Sequence, residues 1–179
     1  MEWFTEYTIE SAPAGSRRFM AATARQLGYV PSATARWAAS PQLLEGFARM
    51  TGLFDACSLE PVAREVVIMT MATRNGCEIC VAMHTARLTS LGAPEEVISA
   101  LRCGAALEDA RLEAVRVFTL RVLQTAGAVG DPALQAFTTA GYTSQNALEV
   151  VVGIGAYTMS TLANRLTGAP VDEQLRVFG

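Results

Sequence analysis

The chain contains no lysine, which excludes Schiff-base catalysis, a pyridoxal anchor and a phosphate-loop lysine. It contains one histidine, His84, so any imidazole base or ligand must be that residue, and a multi-histidine metal site within one subunit is excluded. Charge is scarce as well: 17% of residues are charged, against about 25% in average soluble proteins. With 51% apolar residues, one subunit has too little polar surface to cover itself, and self-association into a homo-oligomer is expected.

Other absences set the class. There is no run of 18 apolar residues, and the start Met1-Glu2-Trp3-Phe4 lacks the basic and then apolar pattern of a signal peptide, so the expectation is a cytoplasmic protein without a membrane partner. The net charge is -3, and no basic cluster is longer than Arg17-Arg18, which speaks against nucleic acid as a partner. Strand signals are nearly missing, since no Asn-Gly or Asp-Gly turn separates alternating β-branched runs. The 179 residues suit a single all-α domain, 1–179, large enough to fold without disulfides or a structural metal.

What is present reads as helices. Ser16 is expected to cap a helix running to about Leu27, with Gly28-Tyr29-Val30-Pro31 as a break and a short helix over 32–39. Pro41 opens a helix with Leu43, Leu44, Phe47, Met50 and Phe54 on one stripe. Ser58 is expected to cap the next helix, which runs to about Thr73 and is apolar nearly all round, as suits the centre of the core. Arg74-Asn75-Gly76 breaks the chain before a helix from Cys77 to about Leu91, which Gly92 should end, so that 59–91 forms a helix pair. Pro94 starts another helix, further helices follow at about 107–125, 132–139 and 144–166, and the tail after Pro170 is expected to be extended. A weak internal repeat links Arg64-Glu65-Val66-Val67 to Leu148-Glu149-Val150-Val151; the offsets of Cys77, Cys80 and His84 then hold Thr161, Asn164 and Gly168, a copy expected to have lost any chemistry.

The chemistry concentrates in Glu65, Cys77, Cys80 and His84. On a helix of 3.6 residues per turn, Cys77, Cys80 and His84 share a face, and Cys80 and His84 lie roughly 5 to 6 Å apart at Cβ, the geometry of a base and a nucleophile. The thiol pair sits in the first helical turn, where unpaired N–H groups and the positive end of the dipole favour a thiolate. If 59–91 folds as an antiparallel hairpin, Glu65 lies roughly 12 Å and His84 roughly 10 Å from the turn, so the two come level and a relay from Glu65 through His84 to Cys80 follows. The blander readings are buried structural thiols, a core histidine and a Glu65 paired with Arg64 or Arg87; a zinc site of these four residues is disfavoured because there is no second cysteine pair. Cys57 and Cys103 have no such neighbours and read as structural; Gly153-Ile154-Gly155 lacks the strand and third glycine of a dinucleotide site and reads as a close helix approach; Trp37, Phe47 and Tyr157 are candidates to line a pocket over the thiols.

The spacing of Glu65, Cys77, Cys80 and His84 resembles the active-site signature of the alkyl hydroperoxidase D and carboxymuconolactone decarboxylase superfamily. Leu27-Gly28-Tyr29-Val30-Pro31, Ser40-Pro41, Leu91-Gly92, Asn164-Arg165-Leu166 and Pro170-Val171-Asp172 are similar to its peroxidase-related branch. The resemblance implies a helical, AhpD-like domain that assembles as a dimer, trimer or hexamer. It implies that Cys80 attacks a hydroperoxide and becomes a sulfenic acid, that Cys77 resolves it as a disulfide, and that Glu65 and His84 relay protons. A dithiol, often a lipoyl group on an adaptor protein, would then reduce the disulfide, with no metal or organic cofactor bound. Ile79 stands where some members carry a second histidine, so the relay need not match theirs. The competing expectations are a carboxymuconolactone decarboxylase-like enzyme without thiol turnover and a non-catalytic redox sensor.

Overall fold

The structure is a computed structural model describing residues 3–179; Met1 and Glu2, part of the N-terminal stretch read above for a signal peptide, lie outside it. The described residues form helices and no strands. Helix α1 (Ala14–Leu27) ends at Gly28, in the break expected there, and a φ of 84° makes that glycine a left-handed cap. Ser16 does not cap it: the helix begins two residues earlier, and the buried Ser16 hydroxyl donates instead to the Ala38 carbonyl at 2.7 Å. Helix α2 (Ser32–Trp37) and helix α3 (Pro41–Asp55) follow, and the Ser40 side chain caps α3 by accepting from the Leu43 N–H.

Helix α4 (Pro61–Arg74) is the axis of the molecule and packs against α3, helix α5 (Glu78–Ser90), helix α6 (Glu95–Cys103), helix α7 (Ala110–Thr125) and helix α9 (Ser144–Thr167). Its residues 65–72 are all buried, which explains an apolar sequence with no solvent face. Ser58 is again not the cap: Glu60 holds that position, and the Ser58 backbone N–H and hydroxyl both donate to Glu149 on α9. Both misassigned serines have distant partners that local patterning does not show.

Helix α7 starts later than 107 because the Leu107 N–H donates to the Glu113 carboxylate and Asp109 caps the helix. Helix α8 (Asp131–Thr139) leads to α9, which opens with a reciprocal capping box between Thr143 and Asn146. The tail departs from the extended form expected: Glu173–Phe178 is a 3-10 helix packed on α5, anchored by buried Leu175 and by the Arg102 guanidinium donating to the Phe178 carbonyl.

Two apolar clusters result. The larger surrounds α4, α7 and α9; the smaller joins Met20, Trp37, Ala72, Cys77, Cys80 and Ala163 where α1, α2 and α9 meet the start of α5. Helix α9 reaches both because it is stripped of side chain where it crosses α3. A Cβ on Gly153 would sit 2.6 Å from the Phe54 ring, and one on Gly155 3.0 Å from Met50 Cε. The two glycines therefore serve close helix packing. No described helix is long and apolar enough to cross a membrane.

Candidate active site

The turn between α4 and α5 builds the site. Asn75 ends α4 in right-handed geometry, Gly76 takes φ 61°, and Cys77 occupies the N-cap of α5. Positive φ strains any other side chain, so glycine is favoured there, and a Cβ at Gly76 would also make the Arg165 guanidinium, 2.9 Å away, shift. Arg165 donates to the Asn75 carbonyl, and the Asn75 amide donates to Thr161 Oγ1 at 2.9 Å, so α9 clamps the turn from the side.

Cys77 and Cys80 are joined as a disulfide, with Cα atoms 5.3 Å apart. Cys80 lies at the third position of α5, so both sulfurs belong to the turn whose backbone N–H groups lack helical partners. Both cysteines are buried in the smaller cluster.

The antiparallel pairing of α4 and α5 brings Glu65 level with His84. The Nδ1–H of His84 donates to Glu65 Oε2 at 2.7 Å, since a carboxylate can only accept. This fixes the tautomer and leaves Nε2 as the nitrogen free for proton transfer. Both side chains are nearly buried, which strengthens the bond by excluding water.

Aromatic rings continue the site. Tyr157 of α9 meets the His84 ring edge-on at 5.2 Å, Phe47 meets Tyr157 at 6.0 Å, and Trp37 meets Phe47 at 5.3 Å. The rings expected to line a pocket over the thiols form instead a packed file from His84 to the sulfur cluster, which Trp37 joins, and none of them lines the cavity beside Cys77. Burial, and then the negative charge of Glu65, push the Tyr157 phenol well above its ordinary range, so it stays a neutral hydroxyl.

Asn164 is the contact that sequence reasoning did not assign. Its side-chain Nδ2 donates to Cys80 Sγ at 3.3 Å and Cys77 Sγ at 3.5 Å. The internal-repeat offset makes it the counterpart of Cys80, in a copy expected to have lost any chemistry. The structure instead turns it back onto the sulfurs.

A cavity of about 200 Å³ opens beside Cys77, lined by Gly76, Ile79, Asn164, Arg165 and Val171 among others. A larger cleft of about 660 Å³ lies between the start of α4, α6 and α7 and holds neither thiol nor imidazole, so size does not locate the chemistry. Cys57 and Cys103 are free thiols; burial, ahead of the other influences on it, pushes the Cys57 thiol up. Among the described residues, no group of three or more His, Cys, Asp or Glu side chains converges as a metal-ligand set.

Comparison with known proteins bears on the fold. No curated protein matches the sequence. Among solved structures, an uncharacterized peroxidase-related protein from Ralstonia eutropha JMP134, described as an alkylhydroperoxidase AhpD core, superposes with a TM-score of 0.86 at 18% identity, covering 98% of this chain and 94% of that one. A peroxidase-related protein from Silicibacter sp. TM1040 gives a TM-score of 0.76 at 17% identity over 92% and 88% of the two chains. The debrominase Bmp8, in a variant complexed with 2,3,4-tribromopyrrole, gives 0.79 at 14% identity over 98% and 95%. Residues 41–119, which run from α3 into α7 and contain Glu65, both site cysteines and His84, match the carboxymuconolactone decarboxylase family model, and the chain as a whole has the AhpD-like fold of these neighbours.

Proposed function

We propose that the protein is a thiol-dependent peroxidase that reduces hydrogen peroxide or alkyl hydroperoxides through a Cys77–Cys80 disulfide cycle. The observation that supports this reading best is the combination of a disulfide in the first turn of α5 with a carboxylate-held imidazole one turn further along the same helix.

The steps balance as follows. His84 Nε2 takes the proton of Cys80, and the thiolate attacks the nearer peroxide oxygen. The O–O bond breaks, Cys80 becomes a sulfenic acid, and the departing alkoxide or hydroxide takes the proton from His84. Glu65 holds the ring and stabilises its charged form meanwhile. The Cys77 thiol then attacks the sulfenic sulfur, expelling water and closing the disulfide. A dithiol donor, such as a lipoyl group on an adaptor protein, reopens it, which suits a reducing cytoplasm. A homo-oligomer fits the exposed Leu148, Val151, Leu162 and Leu166 along the outer face of α9.

Rapid-mix kinetics with peroxide test the reading. Cys80→Ser should form no sulfenic acid, while Cys77→Ser should form one that never closes to a disulfide. If both variants consumed peroxide as fast as the parent, the cycle would be wrong. A non-redox, decarboxylase-like enzyme would keep its activity without either cysteine. A redox sensor would oxidise once, without turnover under a dithiol donor.

A second reading is reductive dehalogenation of an aromatic substrate, in which two thiols and an aryl bromide give the arene, bromide, a proton and the disulfide. The file of edge-on rings Trp37, Phe47 and Tyr157 ending at His84 favours it, and the structural neighbour Bmp8 is named a debrominase. Release of bromide from brominated pyrroles or phenols in the presence of a dithiol would select it over peroxide reduction.

A further inference from the structure

Asn164 carries a larger role than its place in the chain suggests. It lies almost ninety residues from the cysteines, on a different helix, and its side chain is buried. Its amide nitrogen nonetheless lies within hydrogen-bonding distance of both sulfurs and is closer to Cys80. Its Oδ1 is buried without a partner, so no second hydrogen bond fixes which way round the amide sits. The sulfurs themselves select the orientation. With the amide reversed, an acceptor oxygen would face two acceptor sulfurs.

A disulfide is a poor acceptor, so a buried donor gains little from it. The gain comes when the bond opens. The thiolate of the incoming reductant bonds to one sulfur, and the electron pair of the broken S–S bond stays on the other as a thiolate. A hydrogen bond to a charged acceptor is roughly twice as strong as one between neutral groups, and Cys80 and Asn164 are both buried.

We infer that Asn164 is a catalytic residue, the hydrogen-bond donor that stabilises the Cys80 thiolate, so that a helix outside the matched segment 41–119 tunes the reactivity of the cysteine pair. Around this end of α5 the other charged or titratable groups are held by partners of their own, except that His84 keeps Nε2 free and Glu78 is exposed. Glu65 and His84 bind one another, and Tyr157 lies edge-on to that imidazole. Arg165 donates to the Asn75 carbonyl, and Arg36 binds Glu6 and the carbonyls of Thr167 and Gly168. Glu78, exposed at the first position of α5, would oppose a thiolate rather than favour it.

The test is the pH dependence of iodoacetamide alkylation of the reduced protein, with Cys77 and Cys80 resolved by mass. Asn164→Leu removes the donor at similar size, and Asn164→Asp, nearly the same shape, replaces it with a carboxylate. Both should shift the Cys80 alkylation midpoint upward by roughly one pH unit or more, lowering its rate at neutral pH about tenfold, with the rates converging with the parent's in alkali. A parental profile in either variant, with its helix content and thermal midpoint intact, overturns the inference. This readout does not depend on the peroxidase reading. If the alkylation shift appears but no form of the protein consumes peroxide, Asn164 keeps its role and the peroxidase reading falls; if the parent turns over peroxide and the alkylation profile does not move, the reverse holds.

Discussion

Two buried glutamates in similar sequence surroundings behave as opposites. Glu65 on α4 and Glu149 on α9 each precede a pair of valines and are 7% and 9% exposed. Glu149 is surrounded by donors: the Ser58 N–H and hydroxyl, the Gln145 amide and the Asn146 amide all reach its oxygens within 3.0 Å. Burial alone would raise its pKa, but those bonds, led by the Ser58 backbone N–H, outweigh that and hold it at about 2. Glu65 instead spends its hydrogen bond on a group that can gain and lose a proton. A carboxylate saturated by neutral donors holds a fold together, whereas one coupled to a single imidazole can serve chemistry.

The comparison breaks most sharply at the imidazole. His84→Gln should lower the peroxide rate constant by about 10²–10⁴-fold, the range for loss of a positioned acid or base, and Glu65→Gln by about 10²-fold through a misoriented ring. Stopped-flow rates with helix content as control would check both. A Glu65 variant as fast as the parent would reduce that residue to a structural role like that of Glu149.

Glu149→Gln should do the reverse, leaving the rate per folded molecule unchanged while lowering stability by on the order of 3 kcal/mol near neutral pH. The sign follows from the direction of the shift. A carboxyl depressed on folding adds stability that is present above its unfolded pKa of about 4.3 and is lost as pH falls towards 2. Denaturant unfolding between pH 5 and 2 should therefore show a steep loss in the parent that is blunted in the variant.

A smaller effect is expected where α9 crosses α3. Gly153→Ala should cost about 1–3 kcal/mol, because the added methyl meets the Phe54 ring at 2.6 Å. A thermal midpoint equal to the parent's would mean that Phe54 turns aside freely.

Much of this was readable along the chain. Prolines 41 and 94 and the glycines at 28, 76 and 92 mark helix boundaries through backbone rules that hold in any context, and helical rise alone brings Glu65 level with His84. The misses share one cause. Ser16 and Ser58 look like caps because their hydroxyls suit a local N–H, yet each bonds a distant helix or loop. The tail folds because Leu175 finds a buried place on α5, and Asn164 matters only because α9 returns across the α4–α5 turn. One faint signal was available, since Asn164 stands at the Cys80 offset after Glu149. Its meaning depended on the packing of the two helices.

A thiol count after a single equivalent of peroxide tests the central claim most directly. The reduced chain has four cysteines; one equivalent should leave two free thiols, with Cys57 and Cys103 alkylated by a trapping reagent and Cys77 joined to Cys80 in the mass-mapped peptide. Four free thiols after that exposure, or loss confined to Cys57 and Cys103, would contradict the account.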